Sequence, residues 1–208
     1  MIEDDAIVRR ALEKGIVSFK SLAVYLIKQN KLNAHFDAVV SAIRRYREET
    51  PLEKKYEKAR DIIGLSADIR ITTNITELAL EKNKTVQEIL EKVFTLIDYS
   101  KGEILLIIQG EQSIKLMINN KNKEKVLSLF SRKFVLHIEE SIAEINIHLS
   151  NEAVRTPGII SVLSTELMIH NINLMEVASC VPEMLFFVKQ KDVVKSYEIL
   201  FGLCKKQV

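Results

Sequence analysis

The C-terminal two thirds of this chain repeats itself. Residues 69–83, IRITTNITELALEKN, align without a gap on residues 136–150, LHIEESIAEINIHLS. Ile71 with Ile138, Ile75 with Ile142 and Glu77 with Glu144 are identities, and Ile69, Leu78 and Leu80 meet Leu136, Ile145 and Ile147, all at an offset of 67. From Thr85 onward the offset is about 71, varying by a residue between elements: residues 85–97 match 156–169, 103–119 match 173–189, and Leu129–Phe130 match Leu200–Phe201. The second copy therefore carries four extra residues between its first strand and its first helix. A duplication of this kind confines the fold to one supersecondary unit used twice.

Within each copy the hydrophobic period switches between two and 3.6, giving the order strand, helix, strand, strand, helix. Gly110 turns the central hairpin of the first copy and Pro182 that of the second. Right-handed crossovers place both helices of a copy on one sheet face, an α+β sandwich. Copies of about 65 residues are marginal alone, so the two should share one layer. The second copy ends on a helix and the tail GLCKKQV, without a last strand. The early strand near Ile69–Thr72 is expected to supply it and interlock the copies. The division predicted is residues 1–65, 66–133 and 134–208.

Residues 1–65 read as helices. Apolar spacing from Ala6 to Leu12 ends at Gly15, a left-handed stop. Ser18 is placed to cap a second helix with Leu22, Ala23 and Leu26 on one face, ended by QNKLN. A third runs from His35 or Phe36 through Val39, Val40, Ile43 and Tyr46, with Arg44, Arg45 and Arg47 on its outer face. Thr50, Pro51 and Glu53 form a start signal for a fourth, running to about Ile63 and stopping at Gly64. Three short helices with a basic third resemble a helix-turn-helix unit, in which such arginines meet phosphates or guanines. The competing reading is a solvated face, since Glu48 and Glu49 blunt the charge and no strand pair follows to make a wing.

Composition narrows the function. Residues 1–65 hold 13 Lys/Arg against 10 Asp/Glu, and the rest of the chain 17 against 18, so bulk electrostatics do not drive nucleic-acid binding. No apolar run approaches the roughly 20 residues of a membrane span, and MIEDDAIVRRALEK does not read as a secretory signal. With Cys180 and Cys204 too few for a disulfide framework, a reducing cytoplasm is the expected location. His35, His137, His148 and His170 are scattered, so no metal site is expected; no nucleophile–base pair appears, and neither catalysis nor a cofactor is implied.

The stretch TPGIISVLSTELMIHNINLMEV, Thr156 to Val177, resembles the signature of ACT domains: a Pro-Gly-apolar helix start, then a turn into the second strand. The chain order over residues 66–204 resembles the tandem regulatory ACT domains at the C-terminus of aspartokinases. GIVSFKSLAVYL and AVVSAIRRY resemble the helical segment preceding such domains in uncharacterised archaeal proteins. The resemblance implies two interlocked ferredoxin-like (βαββαβ) ACT domains that bind a small effector, an amino acid, and assemble as a homo-oligomer through strand edges. It does not imply kinase activity, since 65 helical residues cannot form the amino-acid kinase domain and no Gly-rich phosphate loop is present.

In the resembling domains the amino acid binds where the loop after the first strand meets the turn after the first helix. In the second copy this points to Asn151, Glu152, Arg155, Thr156, Gly158 and Ile159 from the loop, and Asn171, Ile172 and Asn173 from the turn. The physics is compatible: a helix N-terminus suits a carboxylate, Gly158 permits close approach, and Arg155 offers a charge-assisted hydrogen bond. Where family members carry Gly, Asn171 stands, the next-best residue for a left-handed helix stop. The opposing reading is that Pro157 and Gly158 merely start a helix and Asn171 merely ends one. The shorter first-copy loop, Glu81 to Thr85, is the less suited binder. The expected protein is a ligand-responsive regulator whose helices engage DNA or dock on an amino-acid biosynthetic enzyme.

Overall fold

A computed structural model describes residues 1–49, 53–66 and 68–204. Four helices come first: α1 (Ala6–Glu13), α2 (Phe19–Asn30), α3 (Phe36–Glu49) and α4 (Glu53–Ile63). Then follow β1 (Asp68–Glu81), α5 (Lys84–Leu96), β2 (Leu105–Gln109), β3 (Ser113–Asn119) and α6 (Lys123–Leu127). The second copy supplies β4 (Val135–His148), α7 (Ile159–Ile169), β5 (Glu176–Cys180), β6 (Glu183–Lys189) and α8 (Val193–Cys204).

The helix ends obey local chemistry. Asp5 caps α1 by accepting from the Ile7 and Val8 amides at 3.0 Å. Gly15 takes φ +67, the Gly15 amide donates to the Leu12 carbonyl and the Ile16 amide to Ala11, a Schellman stop. The same glycine leaves room for Arg47, whose Nη2 would lie 2.8 Å from any Cβ at position 15. Ser18 stands at the N-cap of α2 as the sequence suggested, although its hydroxyl makes no capping bond. Of the start signal read at Thr50, Pro51 and Glu53, the first two residues lie outside the described residues.

All six strands form one antiparallel sheet in the order β2-β3-β1-β4-β6-β5. β1 and β4, 14 residues each and 67 positions apart, pair along most of their length. Ile71 lies opposite Ile145 while Leu78 lies opposite Ile138, so the register maps onto itself about the central pair Ile75–Ile142. A pseudo-two-fold axis thus passes between those two buried isoleucines. The first half of β1 completes the sheet of the second copy, as the sequence suggested, and the first half of β4 completes that of the first. Each long strand passes from one copy's half of the sheet to the other's at its middle. There Asn74 (φ +58) and Ser141 (φ +57), the repeat equivalents of one another, hold the left-handed conformation that breaks the ladder.

Strand alternation then divides the apolar residues between the faces. Leu78, Leu80, Ile114, Leu116 and Ile118 pack under α5 and α6 with Val86, Val93 and Val126. Ile145, Ile147, Phe186 and Val188 pack under α7 and α8 with Val162, Leu163, Leu167 and Leu200. Each fully buried aliphatic side chain contributes about 1.5–3 kcal/mol. The opposite face is concave. Ile75, Met117, Ile142, Leu185 and Phe187 cluster there with Ile104 and Leu106 of the first copy and Met175 and Ala178 of the second. The sheet curls far enough that Lys115 of β3 reaches Glu176 of β5 at 3.2 Å, and also Glu77 of β1 at 3.5 Å.

Helices α1–α3 have their own core of Leu12, Leu22, Ala23, Leu26 and Ile43. Helix α4 does not share it: Ala59, Ile62 and Ile63 belong to the core of the second copy. Links back include the Arg10 guanidinium, stacked 3.6 Å above the Tyr56 ring, and the Lys14 ammonium 6.0 Å from its centroid. Among the described residues no helix is long and apolar enough to cross a membrane.

Candidate functional site

The two copies differ most between first strand and first helix. In the first copy residues 82–83 make the connection, and in the second residues 149–158. The net excess of four read from the sequence is therefore a larger insertion at this point, offset by a shorter α7 and a shorter link to β5. α7 begins at Ile159, three residues later than the sequence match placed it. Gly158 at φ +98 sits outside the helical region, in a conformation open to glycine and strained for other residues.

The loop is internally bonded. The Ala153 amide donates to the Ser150 carbonyl at 3.0 Å, Arg155 to Glu152 at 3.1 Å, and the Thr156 hydroxyl to the Glu152 carbonyl at 2.9 Å. Thr156, Ile159 and Ile172 are buried, whereas Asn151, Glu152, Arg155, Gly158, Asn171 and Asn173 are exposed. Arg155 makes no ion pair among the described residues.

The nine residues named from the sequence do not converge within one chain. Those from 151 to 159 lie at the start of α7 and those from 171 to 173 at its end. At 1.5 Å per residue that helix holds them roughly 16 Å apart. Asn171 takes φ +58, its amide donates to the Met168 carbonyl, and the Ile172 amide donates to Leu167. This is a complete Schellman stop, so helix termination accounts for Asn171 and Ile172. A ligand touching both groups would have to lie between two molecules.

The loop instead faces the β5–β6 hairpin. Leu149, Ser150, Ala153 and Val154 on one side and Ser179, Val181, Pro182, Glu183 and Met184 on the other line a narrow, mostly apolar cleft, open to solvent. The Ser150 hydroxyl oxygen is buried there without a hydrogen-bond partner among the described residues. Such an orphan is uncommon in a folded protein. The hairpin wall escaped sequence reasoning; its signal was Pro182, read only as a turn.

Capping sets the copies further apart. In the first, the Asn83 side chain accepts from the Val86 amide at 2.9 Å and so occupies the N-terminus of α5. In the second, no side chain caps α7. The start of α7 is flanked by α4, where a Cβ added to Gly158 would lie 3.6 Å from the Ala59 Cβ.

The arginines of α3 occupy its last turns. Arg44 and Arg47 stand over the Phe19 ring at 5.9 and 5.7 Å from its centroid, and the first turn of α3 carries Asp37. A recognition helix reads DNA with its N-terminal residues. Here that end is acidic, and two of the three arginines are engaged within the module.

Elsewhere, Glu103 accepts from the Asp98 amide at 3.0 Å, Asn122 Nδ2 at 2.8 Å and Lys121 Nζ at 2.9 Å. These bonds to its charged form, the backbone bond foremost, hold its pKa down at about 2. Cys180 is exposed; Cys204 is buried, which raises its thiol pKa. No group of three or more metal-ligating side chains occurs among the described residues.

No protein-family model matches the chain, and no curated protein matches it. Solved structures do. The regulatory subunit of aspartate kinase from Thermus flavus aligns at a TM-score of 0.55 and 10% identity, over 67% of this chain and 98% of that one. The ligand-free regulatory subunit from Thermus thermophilus aligns at 0.53 and 13%, over 67% and 97%. The Clostridium acetobutylicum aspartate kinase aligns at 0.54 and 18%, over 69% of this chain and 36% of that one. The chain thus spans about a third of a whole aspartate kinase. The fold is that of the tandem ACT-type regulatory region, as the sequence resemblance suggested.

Proposed function

We propose that the chain is a non-catalytic, ligand-responsive regulator that binds an amino acid through its second ACT-type copy. The observation that carries this reading is the asymmetry of the repeat. The first copy closes its helix N-terminus with Asn83, whereas the second leaves the N-terminus of α7 without a side-chain cap, behind a longer loop. That loop lines a cleft whose Ser150 hydroxyl lacks a partner. Free amides at a helix start suit a carboxylate and apolar walls suit a side chain, the two ends of an amino acid. Arg155, exposed on the same loop, supplies a cation for the carboxylate. Escherichia coli aspartokinase III, solved in complex with lysine and aspartate, shares the fold at a TM-score of 0.50 and 15% identity. Asn171 and Asn173 would join the site only from a second molecule, consistent with a homo-oligomer built on the edge strands β2 and β5.

The response reaches the helices through α4, which shares the core of the binding copy and carries Tyr56 under Arg10. For the output we favour docking on a metabolic enzyme over DNA contact by Arg44, Arg45 and Arg47, because Phe19 already engages two of those side chains.

Calorimetric titration of each of the 20 amino acids into the wild-type chain and into Val154→Trp tests the proposal. Val154 is exposed and lines the cleft, so tryptophan there fills the space and spares the core. Heat from one or a few amino acids, lost in the variant, supports the reading. Unchanged heat in the variant places the ligand elsewhere, and no heat from any amino acid removes the sensor role.

A further inference from the structure

The concave face of the sheet carries a second broken symmetry. Glu77 and Glu144 are repeat equivalents on the central strands, and both are buried. Glu77 has a cation, Lys115 at 3.5 Å, which also clasps Glu176 across the curl at 3.2 Å. Strand β6 repeats β3 at an offset of 70, so the position matching Lys115 is Leu185. Glu144 therefore lies opposite Phe187 in the ladder and diagonal to Leu185, only 7% exposed. Its carboxyl makes no hydrogen bond or ion pair among the described residues.

Register places the charged groups nearest Glu144 on this face. On β6, Glu183 adds a like charge and receives the Asn146 amide at 3.2 Å, and Lys189 is paired with Glu139 of β4. His148 of β4 lies opposite Glu183. On β1, Arg70 stands diagonal to Glu144, about 7–8 Å away, and is engaged with Asp68 at 2.6 Å. On β5 and β3, Glu176 and Lys115 satisfy one another. No cation on these strands is committed to Glu144.

We propose that Glu144 is a proton-operated latch of the curled sheet, protonated when the two flanks close over Phe187 and ionised when they part. A neutral carboxyl fits between Leu185 and Phe187; a carboxylate there needs water or a cation, which Arg70 can supply only by leaving Asp68 and crossing the face. Burial, with the Glu183 charge adding to it, raises the pKa of Glu144 to about 7, so the latch works near neutrality. Because the folded value lies above the unfolded one, the stabilisation is complete below about pH 4.5 and is lost as pH rises toward 7.

Stability by denaturant, measured between pH 5 and 8 for the wild type, Glu144→Gln and Leu185→Lys, tests the latch. The wild-type folding constant should fall on the order of 100-fold more across that range than that of Glu144→Gln. Leu185→Lys restores the lysine of the first copy and should bring the Glu144 carboxyl, followed by its carbon-13 shift, back below its ordinary range. At pH 8 the exchange of β5 amides with deuterium should be slower in Glu144→Gln than in wild type. Parallel pH profiles for wild type and Glu144→Gln, or a Glu144 titration near its ordinary 4.5, overturn the proposal. Should Leu185→Lys fail to fold, the Glu144→Gln profile and the wild-type carbon-13 titration decide it alone.

Discussion

Gly158, the last residue before α7, lies against Ala59 of α4, with 3.6 Å separating the Ala59 Cβ from where a Cβ on the glycine would stand. Through this contact the loop that differs between the copies touches the helical module. Substitutions at 158 should therefore act twice, on the backbone and on the packing of α4. Alanine meets only ordinary contact and pays for φ +98, about 1 kcal/mol; valine adds a branched Cβ beside Ala59 and should cost about 2–3 kcal/mol. Urea unfolding measures both, and equal stability of the two variants would show that α4 does not bear on the loop.

Glu103 gives a pH dependence opposite in sign to that of Glu144. Its folded pKa, about 2, lies below its ordinary 4.5, so the stabilisation is present above pH 4.5 and is lost as the solution is acidified toward 2. Glu103→Gln should lower stability at pH 6 and flatten the acid limb of the unfolding profile. A variant with an unaltered acid limb would mean that the Asp98, Lys121 and Asn122 bonds do not hold the charge in solution.

Asn74 and Ser141 share the left-handed conformation at the crossing of the long strands, and asparagine tolerates it better than serine. Ser141→Val should cost about 1–2 kcal/mol although the site is exposed, while Ser141→Gly should change stability by less than about 1 kcal/mol. Similar costs for the two variants, read from thermal unfolding, would contradict the assigned backbone.

Much of this architecture was legible from residues alone. The gapless match of 69–83 with 136–150 marked the first strand of each copy, though not its full length, and the missing last strand of the second copy announced the interlock. Gly15 and Asn171 were readable as helix stops because few residues accept positive φ. The start of α7 was misplaced because Thr156 and Pro157 read as a helix start, while the structure spends residues 153–155 on a turn of 3-10 helix. Asn74 and Ser141 were hidden because a polar residue in an alternating strand looks like any solvent-facing position. The curl that joins Lys115 to Glu176, and the hairpin wall of the cleft, depend on sheet twist and on contacts distant in sequence, which periodicity does not encode.

Coupling between the ligand loop and the helices is the centre of the account, and hydrogen–deuterium exchange of the full chain with and without a saturating amino acid tests it most directly. The amino acid that binds should slow exchange several-fold in residues 149–163 and also alter it in residues 56–63 of α4. Binding that changes the loop and leaves 56–63 untouched would contradict it.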